Sequence, residues 1–348
     1  MATGIEISTN FINEIVLPVL KKELPADYGR LAVAIVGTGS EILGLDDEIS
    51  RDHHWGPRAN VMYLRADEAR LGKRLQTILQ TKLPKTYLQY EVHTDLQSMI
   101  SVCTTGVEDF FETILNIDRL PERDLDWLKL CEVDLLHVTA GKVVYDGPGE
   151  LTRYRQHLAY YPDNVWKKRV ADRCAYAAHR EGAYNVQRSS KRNDEITSTM
   201  YLEQAFKRII ELCFLLNKQY APYTKWLNRT YRRLPKYVDR ITPALDDIMA
   251  ETVWKQRVIK LAEVQYVLAD AVADLGLTRK PVRRPFDEGM TVAPLYESAA
   301  EIYSHLPAEL FYPSFSTVEY WERLARQVLF DTSDFFQKRV FQEEIKPA

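Results

Sequence analysis

The run Leu31-Ala32-Val33-Ala34-Ile35-Val36 empties directly into Gly37-Thr38-Gly39-Ser40. Apolar residues at every position, with glycine on either side, predict a buried strand over Arg30 to Val36 rather than a half-exposed one. Glycines in the exit let the chain bend sharply and bring its backbone close to a ligand. The expected continuation is a short helix opening at Gly39-Ser40 and running to about Leu45. Unused N–H groups at such a strand-to-helix turn, together with the positive end of the helix dipole, form an anion site, to which the Ser40 hydroxyl adds a donor. Immediately beyond lies Asp46-Asp47-Glu48-Ile49-Ser50-Arg51-Asp52-His53-His54-Trp55. Oxygen ligands of this kind hold hard divalent cations beside phosphates, so the two features together point to chemistry on a nucleoside triphosphate.

Around this motif the first 150 residues alternate between helical and extended patterns. Phe11, Ile12, Ile15, Val16, Val19 and Leu20 recur at helical spacing over residues 8–24, with Pro18 placed to kink or restart the helix. A second strand is expected over 59–65 and a helix from Asp67 to Leu83. A half-exposed third strand is expected over 87–93, where Leu88, Tyr90 and Val92 alternate with Gln89, Glu91 and His93. A helical stretch over 124–138 and a strand over 143–146 complete the pattern. After Gly147-Pro148-Gly149 the pattern turns helical, with Pro222, Pro235 and Pro243 as breaks and 188–194 as a polar loop or helix start. The expected architecture is an α/β (α+β) domain with a mixed sheet over residues 1–150. An all-helical domain over 151–348 follows and closes over the active-site cleft.

Bulk properties narrow the class. Net charge is −3, but residues 1–150 carry about −9, residues 151–240 about +11 and the remainder about −5. A basic middle beside an acidic amino-terminal part suits an anion held between metal and cations; a helical surface of solvated arginines has the same composition. No apolar run approaches the roughly 18 residues of a bilayer span, and the first residues lack a signal pattern. Cys103, Cys131, Cys174 and Cys213 are scattered and form no Cys-x-x-Cys pair, as expected of reduced cytoplasmic thiols.

Gly39, Ser40, Gly44, Ser50 and Asp52, with eleven residues between Ser40 and Asp52, resemble the DNA polymerase β-type nucleotidyltransferase superfamily. The string from Gly39 to Arg58 is similar to an uncharacterised bacterial family assigned to that superfamily. The likeness extends into Leu215-Leu216-Asn217-Lys218-Gln219-Tyr220-Ala221-Pro222-Tyr223-Thr224-Lys225-Trp226. The resemblance implies a glycine-serine turn followed by an acid-x-acid pair that binds metal, and here His54 stands where the second acid belongs. Imidazole is a poorer magnesium ligand than carboxylate. Three readings follow: His54 takes a softer ion, Asp46 or Asp47 supplies the missing oxygen, or catalysis is weakened or lost. The resemblance also implies a third acid on the strand after the intervening helix, where Glu91 falls as metal ligand or general base; Asp95 and Asp134 are the substitutes.

The functional expectation is a metal-dependent nucleotidyltransferase moving a nucleoside monophosphate onto a hydroxyl of a small molecule, a tRNA or a protein. Asp52 and Glu91 are the catalytic residues. Gly39, Ser40, Arg58, Lys218 and Lys225 bind the nucleotide, and Asp52, His54 and Asp47 hold Mg or Mn. Arg153, Arg155, Lys167, Lys168 and Arg169 are candidate guides for a nucleic-acid acceptor by charge. The alternative from another class is a non-catalytic nucleotide-binding or interaction protein that keeps the fold. A metal-dependent phosphohydrolase built on His53 and His54, with His93, His137 or His157 as further ligands, is a third.

Overall fold

The computed structural model describes residues 2–51, 55–94, 102–180, 182–285 and 294–310. The chain divides into two units, Met1–Leu120 with Val133–Ala159, and Pro121–Glu132 with Tyr160–Ala348.

The first unit is built on a mixed four-stranded sheet. In chain order its elements are α1 (Gly4–Phe11), a π-helical turn (Ile12–Val16), α2 (Leu17–Glu23), β1 (Leu31–Ile35), β2 (Ala59–Tyr63) and α3 (Glu68–Lys82). Then come the short β3 (Thr86–Tyr87) and β4 (Tyr90–Glu91), β5 (Val102–Gly106), α4 (Val107–Leu115), and, within Pro121–Glu132 of the second unit, α5 (Asp124–Leu128). α6 (Glu132–Thr139), β6 (Lys142–Asp146) and α7 (Glu150–His157) follow. The main sheet has the order β5-β2-β1-β6; β1 is antiparallel to β2 and β6, and β2 is parallel to β5. Every residue of β1 and β2 is buried, as the apolar sequence of β1 requires; in β2 the same burial encloses one amide, Asn60. One face carries Leu31, Val33, Ile35, Ala59 and Val61 into a core with Phe11, Ile12, Val16, Leu20, Leu71 and Leu75 from the helices.

Pro18 explains the π turn. Its ring clashes with the carbonyl four residues back and it has no N–H to donate, so the helix widens before it instead of breaking. The expected strand over 87–93 is not a strand of the main sheet. Leu88 adopts a left-handed φ of 53°, and the segment folds back as the separate β3–β4 hairpin. The third strand of the sheet is β5 instead. The expected helix at 124–138 is two helices, α5 and α6.

Gly141 makes the α6–β6 turn with a φ of 77°, and a Cβ there would stand 2.0 Å from the Ile35 carbonyl oxygen. The left-handed backbone alone costs an L-residue about 1–2 kcal/mol, before the clash is relieved. Gly141→Ala should therefore lower the thermal midpoint by several degrees, at roughly 2–4 °C per kcal/mol in a unit of this size. An unchanged midpoint would show that the turn relaxes freely.

The second unit is helical: α8 (Asp163–Ala175), α9 (Ala183–Ser190), α10 (Glu195–Leu216), α11 (Thr224–Tyr231), α12 (Val238–Ala250), α13 (Trp254–Asp274) and α14 (Pro294–Ser304), with α5 packed on α8. α10 packs on α8 and α9, α14 on α8, and α13 on α9, α12 and α14. Pro222 and Pro235 lie between helices as expected, but Pro243 lies inside α12, in its second turn. Among the described residues no helix is long and apolar enough to cross a membrane.

Candidate functional site

The exit from β1 is held from inside. The Arg58 guanidinium, at the start of β2, donates from Nη2 to the Val36 carbonyl at 2.8 Å and from Nη1 to the Thr38 carbonyl at 2.8 Å. Nη1 also reaches Glu41 Oε1 at 2.6 Å, with both side chains buried. The Gly37 N–H donates to the His137 carbonyl at 3.2 Å, and the Val36 N–H to Asn60 Oδ1 at 3.2 Å. Asn60 turns its Nδ2 to Cys103 Sγ on β5, 3.3 Å away. Burial pushes the Cys103 thiol up, which keeps it protonated as a weak partner of this amide.

Two carbonyls of the bend, those of Val36 and Thr38, are taken by Arg58, while its next donors are unused. The N–H groups of Thr38, Gly39 and Ser40 make no hydrogen bond among the described residues, and the three residues are exposed or half-buried. Gly37 and Gly39 have φ of 100° and 143°, and a Cβ on Gly39 would meet the Glu41 carboxylate at 2.5 Å. Glycine is required there by both backbone and space.

The short helix expected over Gly39–Leu45 is absent. Ser40 O accepts from the N–H of Leu43 at 3.2 Å and of Leu45 at 2.8 Å, a single closed turn. Gly44, at a left-handed φ of 64°, ends it. With no helix there, the bend offers local amides without a helix dipole.

Arg58 is correspondingly reassigned. The expectation placed it on a phosphate; its guanidinium is buried and engaged by three oxygens of the bend, so it acts on the bend from behind.

The acidic segment is partly occupied by structural bonds. Asp46 Oδ2 accepts from the Gly4 N–H at 2.6 Å and from Trp55 Nε1 at 3.1 Å, tying the loop to the start of α1. This leaves Asp46 a poor substitute for a missing metal ligand. Asp47 Oδ1 accepts from the Ser50 N–H at 3.0 Å and hydroxyl at 2.8 Å. Asp52, His53 and His54 lie outside the described residues, as does Asp95. Among the described residues no three His, Cys, Asp or Glu side chains gather as a metal would require.

Glu91 sits on the hairpin, outside the sheet, with its side chain 78% exposed and His93 Nε2 at 3.7 Å. The hairpin itself is docked next to the acidic segment: Tyr90 packs edge-on against Trp55 with ring centroids 5.0 Å apart. β5, the strand beside β2, has the sequence Val-Cys-Thr-Thr-Gly and no carboxylate.

Lys218 and Lys225 belong to the second unit. Lys218 Nζ stands 4.1 Å from the Trp166 ring centroid, and Lys225 Nζ 5.1 Å from that of Trp226; both side chains are exposed. The five cations proposed as electrostatic guides each have a partner within the chain, and only Arg153 and Lys167 keep theirs at the surface. Arg155 caps the end of α6 through the carbonyls of Val138, Thr139 and Ala140. Arg153 pairs with Glu150, Lys167 with Asp163 and the buried Lys168 with Asp172, while buried Arg169 donates to the Leu130 carbonyl.

His137, whose carbonyl anchors Gly37, is buried, and burial pulls its imidazole down to about 4. A depressed histidine is neutral in the fold, so its contribution is fully present above about pH 6.5 and is lost as pH falls toward 4. The linkage amounts to roughly 2 kcal/mol by pH 5. Denaturation midpoints at pH 7 and pH 5 should diverge in the wild type and converge in His137→Leu; parallel losses would remove His137 as the source.

Glu41 and Asn60 are the residues the sequence did not announce. Asn60 had a signal, a lone amide inside an apolar strand. Glu41 looked like one more acid of an acidic loop.

Residues 127–227 match the family described as Domain of unknown function (DUF4037). The matched stretch begins in α5 and ends in α11, and it does not include the Gly37–Ser40 bend. No curated protein matches the chain. Among solved structures, a nucleotidyltransferase-like protein from Exiguobacterium sibiricum 255-15 is similar at 12% identity and a TM-score of 0.37, over 83% of this chain and 89% of that one. Likeness at that level carries no argument about activity.

Proposed function

We propose that the chain is a metal-dependent nucleotidyltransferase whose triphosphate site is the bend at Thr38, Gly39 and Ser40. The observation that carries this reading is the set of three successive amides without a partner among the described residues, in a bend held by the buried Arg58–Glu41 pair and followed in sequence by Asp52. Consecutive N–H groups in such a concavity bind phosphate oxygens without needing a side-chain cation. Asp52, Asp47 and His54 are assigned to a divalent ion, Mg or Mn, which when bound neutralises charge on the triphosphate. Glu91 is assigned to the acceptor side, as the carboxylate that takes the proton of the attacking hydroxyl. In the reaction a hydroxyl oxygen bonds to the α-phosphorus while the bond from that phosphorus to the bridging oxygen breaks. The products are a nucleotidylated acceptor and pyrophosphate.

A second reading has its own support. The absence of any acid on β5, together with histidine at position 54, favours a nucleotide-binding protein that keeps the bend without transfer. Incubation with each α-labelled triphosphate, Mg or Mn, and cell extract separates the two: label on an acceptor supports transfer. Triphosphate binding with no label moved under any combination favours the binding protein, and no binding at all ends both.

A further inference from the structure

The first unit holds a cavity of about 520 Å³ lined by α3, by the end of β2 and by the start of β5. None of Thr38, Gly39, Ser40, Asp47 and Glu91 lines it, so it is separate from the proposed phosphate site. A volume of that order suits a small organic molecule, whose sites commonly measure about 300–1,000 Å³. Leu79 and Val102, both buried, give the lining an apolar part.

Two hydroxyls of the lining have no partner in the protein. Tyr63, the last residue of β2, is 5% exposed, and its phenol makes no hydrogen bond among the described residues. Thr104 Oγ1 on β5 is buried and is equally without one. A buried polar group left unpaired costs stability, which is why such groups are normally bonded to something. Burial, and after it the nearby Glu68 carboxylate, pushes the Tyr63 phenol up, so the hydroxyl stays neutral.

The helix is shaped to keep this space open. Gly72 sits inside α3, where glycine is a poorer helix former than alanine. A Cβ there would stand 3.2 Å from the Tyr63 hydroxyl and 3.8 Å from Glu68 Oε1. Phenol and carboxylate thus converge on the room that the missing side chain leaves. Lys73, five positions after Glu68, lines the same cavity. Glu68 and Lys73 are exposed, and neither has an ion-pair partner among the described residues.

We propose that this cavity binds a small zwitterion, a free amino acid or a dipeptide, with its ammonium on Glu68, its carboxylate on Lys73 and its side chain against Leu79 and Val102. A simple anion such as phosphate would meet the charge of Glu68, and a metal cation that of Lys73. One molecule carrying both charges satisfies both, through the charge-assisted hydrogen bonds that are the stronger kind. An ammonium has three donors, and the converging oxygens of Glu68 and Tyr63 take two of them. The inference is independent of nucleotidyl transfer.

The test is isothermal calorimetry of the full chain with each free L-amino acid and with a set of glycyl dipeptides at millimolar concentration. At least one should bind saturably, at one site per chain. Its N-acetyl derivative, which lacks the ammonium, and its amide, which lacks the carboxylate, should each bind at least about tenfold more weakly. Glu68→Gln and Lys73→Met should lose the same factor. Gly72→Ala should also bind at least about tenfold more weakly, yet melt within a few degrees of wild type, because the helix gains what the crowding costs. Lys82→Met, on the same helix but off the cavity, should bind as wild type. No saturable binding across the panel overturns the proposal. So does binding that survives removal of either charge from the ligand, or that is unchanged in Glu68→Gln, Lys73→Met or Gly72→Ala. Tighter binding by an amino acid or by a dipeptide supports the proposal either way and decides between the two sources.

Discussion

Arg58→Met is expected to destabilise the first unit by about 3–5 kcal/mol, the usual consequence of leaving one member of a buried ion pair without its partner. Glu41, 3% exposed, would lose its ion-pair partner, and the Val36 and Thr38 carbonyls would lose their donor. At roughly 2–4 °C per kcal/mol the thermal midpoint should fall by about 10 °C. The double variant Arg58→Met, Glu41→Leu should recover much of that loss, because two apolar side chains replace a buried pair at little net cost. A single variant within 2 °C of wild type, or a double variant additive in its losses, would mean that the pair does not hold the bend. This matters for function because only an immobilised bend presents its amides at no cost in order when phosphate arrives.

Asp52→Ala should abolish nucleotidyl transfer, by roughly a thousandfold or more, if removing the metal carboxylate costs about 4 kcal/mol at the transition state. The thermal midpoint should change far less than in Arg58→Met, which distinguishes a lost ligand from a damaged fold. Label transfer by Asp52→Ala at the wild-type rate would remove Asp52 from the site and leave the binding reading of the bend intact.

The fold was legible where a pattern was long and uniform. The unbroken apolar stretch of β1, the largely apolar β2 and the helical spacing before Pro18 each had one outcome. The hairpin was not legible. Leu88, Tyr90 and Val92 alternate as a strand does, and nothing in that alternation reveals that Leu88 takes a left-handed φ and reverses the chain. β5 escaped notice because Val-Cys-Thr-Thr-Gly is too short and too polar to stand out. At the site, the sequence located Gly39 and Ser40 but misread what surrounds them. Arg58, an arginine near acids, looks the same whether it meets a phosphate or a buried glutamate; only the fold sets Glu41 opposite it. The basic segment posed the same difficulty, since charge counts cannot separate Arg155, spent on capping α6, from Arg233 and Lys236 at the surface.

Three amides, those of Thr38, Gly39 and Ser40, form the proposed phosphate site. An isotope-labelled sample titrated with a nucleoside triphosphate and Mg would report each backbone N–H separately. The resonances of Thr38, Gly39 and Ser40 should shift together and saturate with one binding constant. If triphosphate binds and those three signals stay where they were while others move, the phosphate site lies elsewhere and the bend is a structural turn.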